Sequence, residues 1–445
     1  MASKQFEPAS GTRDFLAGEL RRRERLFAAT RGVFERYGFE PLQTPAFERL
    51  ETLTGKYGDE GDKLIFKILR RGEHEATGEA DLALRYDLTV PLARVVAAYG
   101  SRLPSPYKRY AIGPVWRADR PGKGRFREFT QCDVDVVGSA SPLVEAEVVC
   151  AGADALDAMG VTGYTILVNS RQALNGLMEV YGVPTDLAGV ALITLDKLDK
   201  LAPAQVVAEL VQGRGLAEAT ARSLVDDLTA DDAVVRMRKA LAGNDAGRAG
   251  LAEVDRLLEL AGPHIGPERI RFAPNLVRGL DYYTGAIWEV TAPGMPGAIA
   301  SGGRYDHLIE ALGGPDLPAC GFSLGVERIL GILEEADDGA TVIDVAVTVM
   351  DEESSTEAVR LIGGLRRAGL TAEVYLGGSR KFAKQLKWAS DRGARFAVLS
   401  GPSERAEGVV TVRDMTSGDQ ERVPVGEALT HLADRCAMKA APDNA

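Results

Sequence analysis

The sequence predicts a mixed α/β protein in which a helical insertion interrupts the larger domain and a smaller α/β domain follows. Residues 81–138 alternate strand-like runs with turns rich in Gly and Pro. Residues 186–262 are rich in Ala and Leu at helical spacing, and strand-like, glycine-rich segments resume after them. Residues 342–435 alternate strands with helices, which predicts a small domain with a largely parallel sheet. The helical stretch is therefore interpreted as an insertion within one α/β domain.

Bulk composition predicts a cytoplasmic protein with an ordinary folded core. The chain has 445 residues, of which 45% are hydrophobic and 26% are charged. No apolar run approaches the roughly 18 residues that span a bilayer, so no membrane partner is expected, and the first residues lack the layout of a secretion signal. The four cysteines and four histidines are scattered. Neither a disulfide framework nor a metal site made of protein side chains is therefore expected.

The net charge of −11 argues against indiscriminate nucleic-acid binding but leaves room for local basic patches. Two segments qualify, 117–127 and 379–392, each with five basic residues against one acidic residue. In the second segment, Arg380, Lys384 and Lys387 fall at i, i+4 and i+7, which puts them on one helix face. Such a face is commonly just solvated surface, and contact with RNA is the alternative interpretation.

The first element is an amphipathic helix predicted over 19–37. Its stripe of near-helical spacing consists of Leu26, Thr30, Val33 and Tyr37. Gly38 follows as a C-terminal stop, and the extended segment FEPLQTPAFE comes next. In 84–94, LRYDLTVPLAR, a strand turns into a helix, with Thr89 as the predicted cap and Pro91 near the first helical position.

The segment 127–138, REFTQCDVDVVG, is predicted to be a strand with one apolar and one polar face. The apolar face carries Cys132, Val134 and Val136. The polar face carries Phe129, Gln131, Asp133 and Asp135. One interpretation is an ordinary solvent-facing side of an antiparallel sheet. The hairpin that leads into the strand carries five cations, Arg117, Arg120, Lys123, Arg125 and Arg127. Because salt bridges within a hairpin explain only one or two of them, the alternative is a polyanion site.

A second polar element lies in 275–290, NLVRGLDYYTGAIWEV. Arg278 has apolar neighbours, so it is either a buried partner of Asp281 or a guanidinium held rigidly for an anionic oxygen. The tyrosines that follow, Tyr282 and Tyr283, are either core aromatics or aim a hydroxyl at a substrate.

The third element, 318–333, is predicted to be a buried strand that turns at Gly325 into a helix. The apolar stripe of this helix is Val326, Ile329, Leu330 and Leu333. Glu327 and Arg328 lie off the stripe in the first turn. A cation in the first turn is mildly unfavourable with the helix dipole, so Arg328 is predicted to bind an anionic ligand.

Taken together, these segments resemble the histidyl-tRNA synthetases, a family of class II aminoacyl-tRNA synthetases. Gly38, Phe39 and Pro45, the arginine-led hairpin over 117–135 and the segment GFSLGVER are similar to the three class II motifs. LVRGLDYYTG, GGRYD, LRYDLTVPLAR and DKLDKL look like segments peculiar to the histidyl enzymes. The resemblance covers nearly the whole chain. It implies a class II synthetase-like antiparallel sheet flanked by helices.

The resemblance also implies the domain organisation. The catalytic domain would have two parts, 1–185 with the first two class II motifs and 263–335 with the histidyl segments and the third motif. The helical insertion would occupy 186–262, and an anticodon-binding domain would occupy 342–435. Family members are homodimers with the helix and strand near 19–47 at the interface. A monomer that buries Phe39 and Leu42 internally is the alternative.

Site residues are inferred by matching motif positions. Arg278 would be the catalytic group on the ATP α-phosphate, and Arg117 would bridge that phosphate and the amino acid carboxylate. The expected ATP-binding residues are Arg117, Asp119, Arg125, Phe129 and Arg328. Asp119 stands where the family often has glutamate. The expected histidine-binding residues are Asp87, Thr89, Gln131, Asp135, Tyr283 and Tyr305. The expected tRNA-binding residues are Arg120, Lys123, Arg380, Lys384 and Lys387.

The implied function is that of a histidine–tRNA ligase, with tRNA, histidine and ATP as partners and Mg²⁺ bound with ATP. The main rival is the regulatory subunit of ATP phosphoribosyltransferase, a non-catalytic, histidine-binding relative that lacks the tail domain and the arginine-bearing LVRGLDYY segment. A different class II enzyme, such as the threonyl synthetase, needs a Cys/His₂ zinc site, which these scattered residues make implausible. A histidine-sensing module of a kinase would require an accompanying kinase domain.

Overall fold

The computed structural model describes residues 6–72, 77–277, 282–333 and 343–440. The described residues form two compact units. The first lies within 6–14 and 23–333, and the second within 15–22 and 343–440.

The helices, in chain order, are α1 (Ala17–Arg36), α2 (Leu50–Leu53), α3 (Gly58–Asp62), α4 (Thr89–Tyr99), α5 (Leu143–Ala158), α6 (Arg171–Val180), α7 (Thr185–Leu195), α8 (Pro203–Ala208), α9 (Glu218–Thr229), α10 (Ala233–Leu241), α11 (Asp245–Ile265), α12 (Val326–Leu330), α13 (Glu352–Arg367), α14 (Phe382–Asp391), α15 (Pro402–Glu407) and α16 (Ala428–Ala440). The strands, in chain order, are β1 (Glu40–Pro41), β2 (Phe47–Arg49), β3 (Lys67–Leu69), β4 (Ala80–Leu84), β5 (Tyr107–Trp116), β6 (Glu128–Val137), β7 (Thr165–Ser170), β8 (Ile270–Phe272), β9 (Ala286–Thr291), β10 (Ala300–Arg304), β11 (Ala319–Gly325), β12 (Val345–Val347), β13 (Ala372–Val374), β14 (Phe396–Leu399), β15 (Val409–Asp414) and β16 (Gln420–Pro424).

The first helix agrees with the sequence prediction. Helix α1 buries Leu26, Thr30 and Val33, as the helical spacing predicts. Gly38 has a φ of +75°, the left-handed conformation that ends helices and that glycine adopts without strain.

The first unit is built on an eight-stranded sheet with the order β1-β5-β6-β11-β10-β9-β7-β8. Its six inner strands pair antiparallel, as the resemblance implies, while the edge pairs β1–β5 and β7–β8 are parallel. A separate three-stranded sheet has the order β2-β4-β3. The central hairpin, β5–β6, is the longest pairing and runs in register from Tyr107 opposite Val137 to Trp116 opposite Glu128. Both strands are ten residues long, so the hairpin places side chains along a long stretch of the sheet.

Residue alternation along β6 separates the core from the site. Cys132, Val134 and Val136 are almost fully buried on one face, as predicted. Helix α5 covers β11 closely, because a Cβ on Gly152 would lie 2.0 Å from the Phe322 ring. This helix-covered face is the hydrophobic core. The opposite face is therefore free to carry a site.

The segment predicted as an insertion contains helices α7 to α11. Helix α11 is capped by Asn244, whose side chain accepts from Gly247 N at 2.7 Å. It lies close against α6, since a Cβ on Gly250 would meet Ala173 N at 2.3 Å. Helix α11 thus returns the chain to the body of the first unit, and the boundary predicted at 262 stays a prediction.

The second unit is a five-stranded sheet, β13-β12-β14-β15-β16, flanked by helices. Strand β12 pairs parallel with β13 and β14, but β14–β15 and β15–β16 are antiparallel. The prediction of a largely parallel sheet is therefore wrong. A short turn containing Gly418, with a φ of +83°, joins β15 and β16. Only antiparallel strands can be joined by so short a connection.

Among the described residues, no individual helix combines the length and apolar character needed to cross a membrane. The pair Arg171–Val180 and Thr185–Leu198, bent by 119°, meets the length and composition criteria only jointly.

Candidate active site

Two adjoining pockets lie in the first unit, on the side of the sheet opposite α5. The outer cleft has a volume of about 730 Å³, and the inner pocket has a volume of about 90 Å³. Four side chains line both: Arg117, Gln131, Ser301 and Ser323. A ligand that fills the inner pocket therefore meets a ligand in the outer cleft at Arg117.

The outer cleft is walled by the cationic hairpin between β5 and β6. Its lining includes the predicted residues Arg117, Asp119, Arg120, Lys123, Arg125, Phe129 and Arg328. Backbone hydrogen bonds between Gly122 and Arg125, at 3.0 and 2.9 Å, close the turn. Arg125 lies 3.6 Å from the Asp119 carboxylate, so one of the hairpin cations has a local counter-ion.

Arg117 is held rigidly between two aromatic rings. Its guanidinium lies 4.3 Å from the centre of the Tyr86 ring and 5.1 Å from that of Phe129. Its Nε donates to the Tyr86 carbonyl at 3.1 Å. Phe129 in turn packs against an apolar cluster that contains Leu88, Ala111 and Val115. The ring and the guanidinium thus form a flat, charged surface suited to a nucleotide.

Arg127 does not belong to this wall. Its Nε donates to the Asp119 carbonyl at 3.2 Å and its Nη1 donates to the Ser10 carbonyl at 3.3 Å. The prediction that all five hairpin cations face a polyanion is therefore wrong for Arg127. Arg127 precedes β6, and its side chain donates hydrogen bonds to backbone carbonyls at the base of the hairpin.

Arg328 approaches the outer cleft from α12, as the sequence predicted for an anion-binding cation. Its Nη1 donates to the Ala298 carbonyl, and its side chain passes close to the hairpin, since a Cβ on Gly124 would lie 3.4 Å from Arg328 Cγ. The cleft is thus bordered by guanidinium groups from two elements that are about 200 positions apart in the chain.

Sequence reasoning missed the function of Glu327. Its carboxylate is buried and accepts from Thr130 N at 2.8 Å and from Arg23 Nη1 at 2.7 Å. Arg23 Nη2 also donates to Thr130 Oγ1 at 2.7 Å. This network ties α1, β6 and α12 together beside Arg328. No local pattern signals it, because the partners come from three distant segments. Lys200 and Glu289, which were likewise not selected from the sequence, also line the outer cleft.

The inner pocket gathers all six residues expected to bind histidine, namely Asp87, Thr89, Gln131, Asp135, Tyr283 and Tyr305. Asp133 and Tyr282 line it as well. Arg278, the predicted catalytic group, and Asp281 lie outside the described residues. Gln131 is oriented by a hydrogen bond from its Nε2 to Ser323 Oγ at 2.6 Å.

The side chain of Asp87, rather than that of Thr89, accepts hydrogen bonds from the first turn of helix α4, whose N-cap position is Leu88. Asp87 Oδ1 accepts from Thr89 N at 3.1 Å and from Val90 N at 3.0 Å, while Thr89 is already helical. The predicted cap at Thr89 is therefore wrong. Tyr57 Oη also donates to Asp87 Oδ1 at 3.1 Å. Burial raises the pKa of Asp87, while these hydrogen bonds and the nearby Arg117 oppose the rise.

The polar face of β6 is buried rather than solvent-facing. Asp133 and Asp135 are each only 2% exposed, so the interpretation of an ordinary wet sheet face is wrong. Tyr305 Oη donates to Asp135 Oδ1, and Arg109 Nη2 lies 2.8 Å from Asp135 Oδ2. Burial raises the pKa of Asp133 to about 7, repulsion from Asp135 adds to the rise, and Arg109 opposes it. The floor of the pocket is a buried acidic pair with a buried counter-ion.

A glycine on β11 makes room for this acidic pair. Gly321 lies opposite Asp135 in the sheet register. A Cβ at this position would lie 2.0 Å from Asp135 Oδ1 and 2.7 Å from its Cγ. Any larger residue would therefore displace the carboxylate.

The two pockets differ in electrostatic character. The outer cleft is bordered by arginines and an aromatic ring, which suit a nucleoside triphosphate. The inner pocket is lined by carboxylates and phenols, which suit an ammonium group or an imidazole. Among the described residues, the one His/Asp/Glu cluster tight enough for a metal ion is His307, Glu310 and Asp316, which is exposed and lines neither pocket.

The basic segment of the second unit differs from its prediction. Helix α14 begins at Phe382, so Arg380 precedes the helix and its Nη1 donates to the Val349 carbonyl at 3.4 Å. Lys387 pairs with Asp391 at 2.8 Å on the helix surface, while Lys384 is exposed. The prediction of three cations on one helix face is therefore wrong for Arg380. The same region exposes Leu376, at 90%, and Phe382.

Comparison with known proteins identifies relatives along the whole chain. A family model described as histidyl-tRNA synthetase matches residues 11–329, and one described as an anticodon-binding domain matches residues 344–435. The chain is 42% identical over 462 residues to a histidine–tRNA ligase of Gloeobacter violaceus, which covers 96% of this chain and 98% of that protein.

Solved structures give the same picture. The crystal structure of histidyl-tRNA synthetase from Nostoc sp. PCC 7120 has a TM-score of 0.77 at 28% identity, with 97% of this chain and 99% of that chain covered. A structure described as an ATP phosphoribosyltransferase regulatory subunit/histidyl-tRNA synthetase from Bacillus halodurans C has a TM-score of 0.72 at 22% identity. It covers 88% of this chain and 98% of that chain. At that identity, the second likeness concerns the fold alone.

Proposed function

Because the chain belongs to the histidyl-tRNA synthetase family, we propose that it is a histidine–tRNA ligase, which activates histidine with ATP and transfers it to the 3′ end of its tRNA. One observation carries the proposal beyond family membership. Arg117 lines both the arginine-bordered cleft and the carboxylate-lined pocket. A single guanidinium thus reaches the place where a bound nucleotide and a bound amino acid would meet.

The outer cleft takes ATP. Phe129 offers a ring for the adenine, Asp119 lies near it, and Arg125 and Arg328 bind the triphosphate. Mg²⁺ would enter with ATP and would supply positive charge to its phosphates. The carboxylate of Glu289 lines the cleft and fits a hydrated cation.

The inner pocket takes histidine. Asp87, Thr89 and Gln131 receive the α-amino group, and Asp135, Tyr283 and Tyr305 surround the imidazole. Burial supports selectivity, because a side chain that leaves these polar groups unpaired pays a desolvation penalty without compensation.

Activation joins two anions, so repulsion between them is the main obstacle. The histidine carboxylate attacks the α-phosphorus in line, pyrophosphate leaves, and histidyl-adenylate remains. Arg117 bridges the carboxylate and the α-phosphate, and Arg278 is proposed to neutralise the α-phosphate as well. Catalysis is then positioning and charge neutralisation, with no nucleophilic side chain required.

Transfer follows when a ribose hydroxyl at the tRNA 3′ end attacks the adenylate carbonyl. A phosphate oxygen of the adenylate accepts the proton, so no protein base is invoked. Arg120 and Lys123, exposed on the hairpin, are proposed to contact the tRNA near its acceptor end. Lys384 and Lys387 of the anticodon-binding domain, together with Arg380, are proposed to contact its other end.

The enzyme is proposed to act as a cytoplasmic homodimer. Two exposed apolar side chains support the association, since Phe47 on β2 is 51% exposed and Leu69 on β3 is 55% exposed. The monomeric alternative is that Phe39 and Leu42 are buried internally, and within the single chain Phe39 is 2% exposed and Leu42 packs against the core. Light scattering on the purified chain distinguishes the two states by mass.

The regulatory-subunit alternative is less well supported. That class was expected to lack a tail domain, whereas residues 344–435 match the anticodon-binding domain. The decisive experiment is ATP–pyrophosphate exchange measured with each of the twenty amino acids. The ligase predicts exchange stimulated by histidine alone. A chain that binds histidine but catalyses no exchange would be the sensor instead.

A further inference from the structure

Arg109 is buried completely beneath the inner pocket. It lies on β5 directly opposite Asp135 on β6, and Arg109 Nη2 lies 2.8 Å from Asp135 Oδ2. The same nitrogen donates to the Leu88 carbonyl at 3.0 Å, just before α4 begins. Arg109 Nε and Nη1 have no hydrogen-bond partner among the described residues. Burying a guanidinium with unmade donors is unfavourable compared with an apolar side chain. A contribution to stability therefore does not explain why Arg109 is buried.

Asp133 is a second buried group whose hydrogen bonding is incomplete, although Ser323 forms a hydrogen bond with its carboxylate. It lies on the same face of β6 as Asp135, two positions away, and opposite Ser323 on β11. It lines the inner pocket, yet its Oδ1 has no hydrogen-bond partner among the described residues. Buried polar atoms are nearly always satisfied, so an unused acceptor in a pocket wall points to a donor on the ligand. The family motifs assigned no role to this residue.

We propose that Asp133 is a further histidine-binding residue and that Arg109 is a positioning residue, which holds the buried Asp133–Asp135 pair aimed at the substrate. The proposal rests on the proposed function, because histidine supplies the donors: its α-ammonium group and an imidazole N–H. Arg109 does not line the pocket. It acts through the carboxylates.

The electrostatic reason is that two carboxylates on one buried face repel each other. Burial raises the pKa of both Asp133 and Asp135, and the positive charge of Arg109 opposes the rise in each. Without that charge, the pair would hold a proton up to a higher pH and would lose an acceptor over a wider pH range. The other titratable or charged groups that interact with these residues from neighbouring elements are Arg85, Asp87, Tyr107, Tyr282, Tyr305 and Cys320.

The test uses the full chain and histidine-dependent ATP–pyrophosphate exchange over a range of pH. In Arg109→Gln, the acid limb of kcat/KM for histidine should move to higher pH, because the carboxylates lose their counter-ion. Each unit by which the apparent pKa exceeds the assay pH lowers the ionised fraction about tenfold, so kcat/KM for histidine should fall by a similar factor. The KM for ATP should be unchanged. Arg109→Lys, which keeps the charge, should restore part of the loss.

Asp133→Asn should move the same limb in the opposite direction. This change removes the repulsion between the two carboxylates, and the charge of Arg109 then acts on Asp135 alone. The acid limb should therefore shift to lower pH. The KM for histidine should rise about tenfold, as for the loss of one hydrogen bond to a charged group. Titration of free histidine affects every variant equally, so the difference between variants isolates the pair. This isosteric change also carries the test if Arg109→Gln does not fold.

The matched control is Arg94→Gln. Arg94 pairs with the buried Glu48 at 2.7 Å and lines neither pocket. Its loss should lower stability without moving the pH profile. Equal effects on the KM for histidine and for ATP in Arg109→Gln, or acid limbs that stay fixed or move in the same direction in Arg109→Gln and Asp133→Asn, would overturn the proposal. If the unmodified chain shows no exchange with histidine, the proposed function itself fails.

Discussion

Gly321→Ala tests the geometry of the inner pocket with one methyl group. A Cβ at this position would lie 2.0 Å from Asp135 Oδ1, whereas unstrained contacts between such atoms are more than about 3 Å apart. The carboxylate must therefore move by roughly 1 Å. It cannot swing away freely, because Arg109 holds one of its oxygens and Tyr305 donates to the other.

The expected effect on histidine use is large and selective. Misplacing a positioning group by about 1 Å costs up to roughly 10²-fold in rate, so kcat/KM for histidine should fall by about that factor. The KM for ATP should stay the same, since Gly321 lines only the inner pocket. Overpacking should also lower the free energy of unfolding by about 1–3 kcal/mol.

The assay is histidine-dependent pyrophosphate exchange, paired with urea unfolding followed by circular dichroism. The control is Gly189→Ala in α7, where an added Cβ would meet no atom within 4 Å. That change should leave the kinetics unaltered and stabilise the helix by up to about 1 kcal/mol. A folded Gly321→Ala variant with full histidine activity would refute the reasoning, because it would mean that Asp135 does not contact the substrate.

Three further predictions follow from the site and the anticodon-binding domain. Arg278→Ala should reduce adenylate formation by about 10²–10³-fold while barely altering the unfolding transition, and intact exchange would remove Arg278 from the mechanism. Charge reversal at Lys384 and Lys387 should weaken tRNA charging but spare exchange; equal loss of both activities would contradict the assignment of that surface. Glu327→Gln should lower the free energy of unfolding by about 3–5 kcal/mol, because it breaks the buried ion pair between Arg23 and Glu327, and a urea midpoint equal to that of the unmodified chain would argue against the network.

Local periodicity determined much of this protein from its sequence. The stripe of α1, its end at Gly38 and the two faces of β6 all follow from repeat lengths of 3.6 and 2 residues. The motif residues also determined the family and the histidine–tRNA ligase function, both confirmed by the comparisons. These features depend only on residues that are close together in the sequence, so they can be predicted before the fold is known.

What covers each face was decided only by the tertiary structure. Alternation put Asp133 and Asp135 on one side of β6, but their burial depends on Tyr305, which is 170 positions from Asp135. Arg109 gave no local signal, since its meaning comes from the register between two strands. The free energy of a buried charge is set by the partners that long-range pairing supplies. For that reason, the buried pair Asp133–Asp135 and its counter-ion Arg109 could be recognised only from the assembled sheet.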